Sequence, residues 1–217
     1  MLIVSTWQWG AKYGVNYVHR LQRGLRRHLT QPFRFVVFHP EPRDIGLTKV
    51  PGCFARLRMF DPDWQHENDI NSEDRLVCVD LDVVITGPLD PLFDRPEPFV
   101  ILQGANAINP CPYNGSLMML RGGAYPEVWT TFSLDAAKTI PAFDFPDDQG
   151  WLAVTVPEAA GWRAGAESGV YAFQKPGWPV SGDGKALPGD ARMVVFPGWR
   201  DPSKFTALPW VQEHWLR

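Results

Sequence analysis

An apolar run, Leu2 to Ser5, leads through a polar-aromatic loop to Val15, Val18, Leu21, Leu25 and Leu29 at helical spacing, and a second apolar run fills Phe33 to Phe38. Strand, helix and strand in that order form a β-loop-α-β unit, whose two strands pair in parallel. This opening holds the chain to the α/β class. Further strands are expected at Leu76 to Val79, Phe99 to Leu102, Gly115 to Leu120 and Met193 to Phe196. A short helix is expected over Phe54 to Phe60, a helical turn at Leu89 to Phe93, and helices that start near Pro126 and Asp147. The Pro- and Gly-rich stretches 39–53 and 161–190 read as irregular. No repeat, low-complexity tract or linker interrupts the 217 residues, so one domain over 1–217 is expected.

The third strand ends in Asp80-Leu81-Asp82. Charged side chains are rarely buried unless paired or bound to a metal. In an open α/β sheet the carboxyl ends of strands are where ligands bind. Two carboxylates there can grip a divalent cation, which can in turn grip a diphosphate. The plainer alternative is that one of them starts a turn or caps a helix.

A net charge of −3 argues against a dedicated nucleic-acid binder. Arg20, Arg23, Arg26 and Arg27 read as the solvated face of the first helix, with a weak anionic-surface contact as the alternative. Cys53, Cys78 and Cys111 show no pairing logic, and an odd, sparse count suits a reducing compartment. The first residues are too short and neutral a run for a signal peptide, and no apolar run approaches the ~18 residues of a spanning helix. A cytoplasmic protein is expected, with peripheral membrane contact left open. Ten Trp offer flat faces for bases or sugar rings, although core packing is their commoner use.

Several polar signals fall where strands end: the loop Trp7 to Tyr13, Asp80 and Asp82, Asn114-Gly115-Ser116, Asp148-Gln149, and the loop after the last strand. Together with the strand Phe33 to Phe38 and Arg56, they make an ordered series: Trp9-Gly10-Ala11-Lys12-Tyr13-Gly14, Phe33 to Phe38, Arg56 in Ala55-Arg56-Leu57, Asp80 to Leu89, Asn114-Gly115-Ser116 and Asp148-Gln149-Gly150-Trp151. With these parts the chain resembles the GT-A-type nucleotide-sugar glycosyltransferases, especially the family 8-like bacterial enzymes. The resemblance runs from about Trp9 to Pro202.

It implies a GT-A fold with a single mixed, mostly parallel sheet flanked by helices. It implies transfer of a sugar from a nucleotide-sugar donor, UDP-linked by family default, with retention of configuration. The acceptor class is a glycan, a lipid-linked glycan or a protein. Asp80 and Asp82 would bind Mn2+ or Mg2+. Thr6, Lys12 and Tyr13 would meet the base and phosphates, Arg56 the diphosphate or donor sugar, and Asn114 and Ser116 the sugar pocket. Asp148 and Gln149 would lie nearest the reacting carbon. The family also places a metal-binding His in the final loop, where this chain has Val195 or Pro197, and a phosphate-binding Lys where it has Asp201. Arg200 and Lys204 lie close in sequence, and Arg200 is the expected substitute cation. His214 is expected on the surface of a tail helix.

Two other readings compete. In a non-catalytic nucleotide-sugar-binding protein the missing His would be expected. In a haloacid-dehalogenase-type phosphatase Asp80 would be the nucleophile and Asp82 the acid/base. That motif normally opens its fold, and here a full β-α-β unit precedes it.

Overall fold

The computed structural model describes residues 1–50, 53–106, 110–140, 147–175, 178 and 183–217. The loop expected at Pro51 and Gly52 lies outside them, as do the parts of the other expected loops that fall on 107–109, 176–177 and 179–182.

The opening unit forms as the sequence predicts: β1 (Leu2–Trp7), α1 (Val15–His28) and β2 (Phe33–Phe38), with β1 and β2 parallel. Two 3-10 segments, Pro42–Thr48 and Phe54–Phe60, and α2 (Pro62–Glu67) lead to β3 (Arg75–Val79). Then come β4 (Val84–Ile85), α3 (Asp90–Phe93), β5 (Phe99–Gln103) and β6 (Tyr113–Arg121). Short helices α4 (Glu127–Thr130) and α5 (Leu134–Lys138) precede α6 (Asp148–Thr155). The chain continues through β7 (Ala160–Arg163), β8 (Val170–Ala172), β9 (Met193–Val195) and a 3-10 turn, Pro202–Phe205. It ends in α7 (Pro209–Val211) and one π-helical turn, Gln212–Leu216.

The main sheet has the order β2-β1-β3-β6-β5-β7, and only β6 runs against the others. Both faces are covered. Along β1, Leu2 and Val4 face one core while Ile3 faces the other, and along β3 Val77 and Val79 alternate in the same way with Leu76 and Cys78. That period of two on a doubly buried strand explains why these strands read as continuous apolar runs.

Two features depart from the expected single sheet and the irregular 161–190 stretch. β7 joins the edge of the main sheet, and β4, β9 and β8 form a second, three-stranded sheet. On the basic face of α1, Arg23, Arg26 and Arg27 are exposed, as the solvated-face reading expects, and the face also makes contacts that reading does not include. Arg20 packs over the Trp215 ring at 3.9 Å, while Arg23 and Arg27 donate to the carbonyls of Leu216, Glu213 and His214. These arginines hold the last helical turn, whose free carbonyls need donors. His214 is half-buried there, 6.3 Å from the His28 ring between centroids, rather than free on the surface.

Candidate functional site

The carboxyl ends of β1 and β3 lie on one edge of the main sheet. Because β6 is antiparallel, its first residues lie on that edge as well. A cleft of about 610 Å³ opens there.

Its floor is built around Arg56. The Arg56 guanidinium donates from Nη1 to Asp80 Oδ1 at 2.6 Å and from Nε to Asp148 Oδ2, and is itself only 5% exposed. Burial works against its charge, and the Asp148 and Asp80 carboxylates overcome it, so the group stays firmly protonated. Burial pushes the Asp148 carboxyl above its usual range, against the pull of Arg56. A buried ion needs such partners, because an unpaired one costs several kcal/mol.

Gly115 makes room for this arrangement. A Cβ at that position would sit 2.1 Å from Arg56 Nη2. The β5–β6 register jumps here, from Ile101 opposite Met118 to Leu102 opposite Asn114, so Gly115, Ser116 and Leu117 are left over. Such bulges re-aim side chains at strand ends. The backbone of the bulge is used on both sides: Ser116 O accepts from Asp80 N at 3.1 Å, and Gly115 N donates to Gln149 Oε1 at 3.2 Å. Asn114 donates to Asn106 Oδ1 at 3.0 Å and accepts from Ser116 N at 3.0 Å.

Asp82 Oδ2 accepts from the Tyr13 hydroxyl at 2.5 Å. Burial and the Asp80 charge push the Asp82 carboxyl up to about 7. Burial and the neighbouring Asp82 hold the Tyr13 phenol well above its ordinary range. Asp147, the N-cap of α6, accepts from Gly150 N at 2.7 Å. Its carboxyl is pushed up to about 7 by burial and the Asp148 charge.

Lys12, Tyr13, Arg56, Asp80, Asp82, Asn114, Ser116, Asp148 and Gln149 therefore line one cleft. Two expected residues do not. Thr6 is fully buried in β1, with its hydroxyl unpartnered among the described residues. Arg200 stands outside the cleft with its guanidinium 5.2 Å from the Trp199 ring centroid. A conformation-independent reading of the final loop could not tell that Pro197 and Gly198 face the cleft while Arg200 does not. Sequence reasoning also missed Asn106, Cys53 and Lys175 as lining residues. Asn106 follows a strand closely enough to have been noticed; Lys175 carries no local signal.

The donor set can be tested against a divalent cation. Asp80 and Asp82 each keep one carboxylate oxygen without a protein partner among the described residues. At the position of the absent His, Val195 is buried in β9 and Pro197 offers no ligand. Among the described residues no group of three or more His, Cys, Asp or Glu is placed to hold a metal. The pair thus fits a hard cation that takes few protein oxygens and keeps several waters, as Mg2+ does.

The sequence matches no family model and no curated protein. Solved structures do match the fold. The glycosyltransferase GlyE of Streptococcus pneumoniae TIGR4 is similar with a TM-score of 0.59 at 13% identity, over 93% of this chain and 55% of GlyE. This chain thus spans about half the length of that protein. A glycosyltransferase involved in glycosylation of the major capsid of PBCV-1 gives 0.61 at 13% identity, over 95% and 98% of the two chains. The galactosyltransferase LgtC, in complex with donor and acceptor sugar analogs, gives 0.56 at 12% identity, over 99% and 96%. The fold is that of GT-A glycosyltransferases.

Proposed function

We propose that this chain is a glycosyltransferase of the family 8-like kind, which moves a sugar from a UDP-sugar to an acceptor hydroxyl with retention of configuration. The observation that carries the reading is the convergence of Lys12, Tyr13, Arg56, Asp80, Asp82, Asn114, Asp148 and Gln149 in one cleft at the carboxyl edge of a GT-A sheet. Asp80 and Asp82 would hold Mg2+ or Mn2+. Such an ion, when bound, supplies positive charge against the departing nucleoside diphosphate.

The chain's own residues account for the rest. Arg56 fixes Asp80 and Asp148 relative to each other, so charge is already arranged before the donor arrives. Lys12, on the first loop, can meet a phosphate, and Trp9 beside it offers a face to the base. Gln149, oriented by Gly115 N, and Asp148 present oxygen dipoles suited to positive charge growing on the sugar. Asn114, fixed by Asn106, suits a sugar hydroxyl. Acceptors remain those named above: a glycan, a lipid-linked glycan or a protein. Among the described residues no helix is long and apolar enough to cross a membrane, and a cytoplasmic location is part of the proposal.

The phosphatase alternative needs its second acidic pair delivered by a strand, whereas Asp147 and Asp148 open a helix. Its nucleophile would also be tied to Arg56. Calorimetry with UDP, GDP and dTDP, with and without Mn2+, followed by a donor-hydrolysis assay, tests the reading. Binding with release of nucleoside diphosphate from a donor supports transfer. Binding with no release, with any acceptor class, favours a non-catalytic binding protein.

A further inference from the structure

The cleft contains the carboxylates Asp80, Asp82, Asp147 and Asp148 and the cations Lys12, Arg56 and Lys175. Arg56 is spent on Asp80 and Asp148. The cations of the final loop lie elsewhere. Lys204 Nζ donates to Trp199 O at 2.7 Å, and Arg200 lies against Trp199 outside the cleft, its buried Nε without a partner among the described residues. Asp201 faces inward to the fold: it accepts from Tyr17 Oη at 2.8 Å and caps the Pro202–Phe205 turn through Ser203 N.

Lys12 and Arg200 have no side-chain hydrogen bond or ion pair among the described residues, but each lies against an aromatic ring, Tyr13 and Trp199. Lys175 lines the cleft, is half-buried, and among the described residues its ammonium has no hydrogen bond, ion pair or ring partner. Its backbone is held on both sides, by Lys175 N to Ala172 O at 3.1 Å and Trp178 N to Lys175 O at 3.0 Å. Trp178 is in turn packed on Phe173, with ring centroids 5.4 Å apart. An ammonium on a fixed stretch of backbone at the cleft wall, without a protein anion among the described residues, suits an anion from a ligand.

We propose that Lys175 is the second diphosphate-binding cation of this site, in the place expected of Arg200, and that Lys12 and Lys175 together meet the donor's two phosphates. The assignment rests on the donor reading above. It moves the phosphate contact from the loop after β9 to the connection before it.

The test titrates the full chain with UDP, GDP and dTDP, and then with the parent nucleoside of whichever binds best. Lys175→Met keeps the aliphatic stem and removes the charge. It should weaken diphosphate binding about tenfold or more and leave nucleoside binding unchanged, since a charge-assisted hydrogen bond accounts for roughly that factor. Lys175→Arg should recover most of the affinity, and Arg200→Met should leave it as in the wild type. Diphosphate binding that persists undiminished in Lys175→Met overturns this assignment alone, as does an equal loss of nucleoside affinity. If the wild type binds none of the three diphosphates, the assignment falls together with the donor reading.

Discussion

Arg56 shows how one side chain organises a site. Its guanidinium satisfies two carboxylates and rests over a glycine, so each neighbour depends on it. Arg56→Ala leaves Asp148 buried without its countercharge and should cost about 3–5 kcal/mol in a denaturant titration. Gly115→Ala should be similarly harmful, because its Cβ would occupy the space of Nη2. The two effects come from one contact, so they should not add. Gly115→Ala made in the Arg56→Ala background should cost far less than it does alone, and full additivity would show that the glycine serves another purpose. Asp147 gives a prediction in pH. Its carboxyl is raised to about 7 in the folded protein from an ordinary 3.8. Folding therefore favours its protonated form, and stability falls as pH rises through that interval. Asn caps a helix as well as Asp does. Asp147→Asn should raise the Tm at pH 8, with the gap narrowing as the pH falls from about 7 and closing below 3.8, where the carboxyl is neutral folded and unfolded alike. An equal gap at both pH values would point to a cause other than ionisation.

At the scale of elements, legibility followed the range of the interactions. β1, β2, β3 and β5 were readable because a buried parallel strand is a short apolar run, and α1 because its apolar residues recur every three or four positions. β7 and β8 were not. Ala160-Gly161-Trp162-Arg163 and Val170-Tyr171-Ala172 have no distinctive pattern, and they become strands only through partners far along the chain. The bulge at Gly115 was invisible for the same reason, although Asn114-Gly115-Ser116 had marked the place. In the site, Asp80, Asp82, Asp148 and Gln149 were legible as polar groups at element ends. Lys175 was not, because its position depends on the small sheet and on Trp178. The basic face of α1 was legible as exposed, but its partner, the final π-helical turn, was not. That contact yields a prediction: Arg27→Ala should lower stability by about 1 kcal/mol, the scale of an exposed charge-assisted hydrogen bond. Trp215→Ala, which removes a buried ring under Arg20 and against Tyr17, should cost about 3–5 kcal/mol. No loss in either variant would mean that the last turn contributes nothing to the fold.

For the molecule as a whole, the mixed sheet brings the ends of β1, β3 and β6 to one edge, and Phe196, Pro197 and Gly198, which follow β9 of the second sheet, line the same cleft. The division of labour in that cleft predicts separable defects. Gln149→Ala should leave nucleoside diphosphate affinity intact and reduce sugar transfer, because its contribution is made mainly in the transition state. An equal loss of binding and transfer would mark Gln149 as a structural residue. A calorimetric titration of UDP in Mn2+, set beside the same titration in EDTA, tests whether Asp80 and Asp82 form the proposed cation-assisted diphosphate site. With such a site, the wild type should bind UDP saturably and more tightly in Mn2+, and Asp82→Ala should lose that Mn2+ enhancement. Wild-type binding indifferent to Mn2+, or an Asp82→Ala variant that retains the enhancement in full, would contradict it.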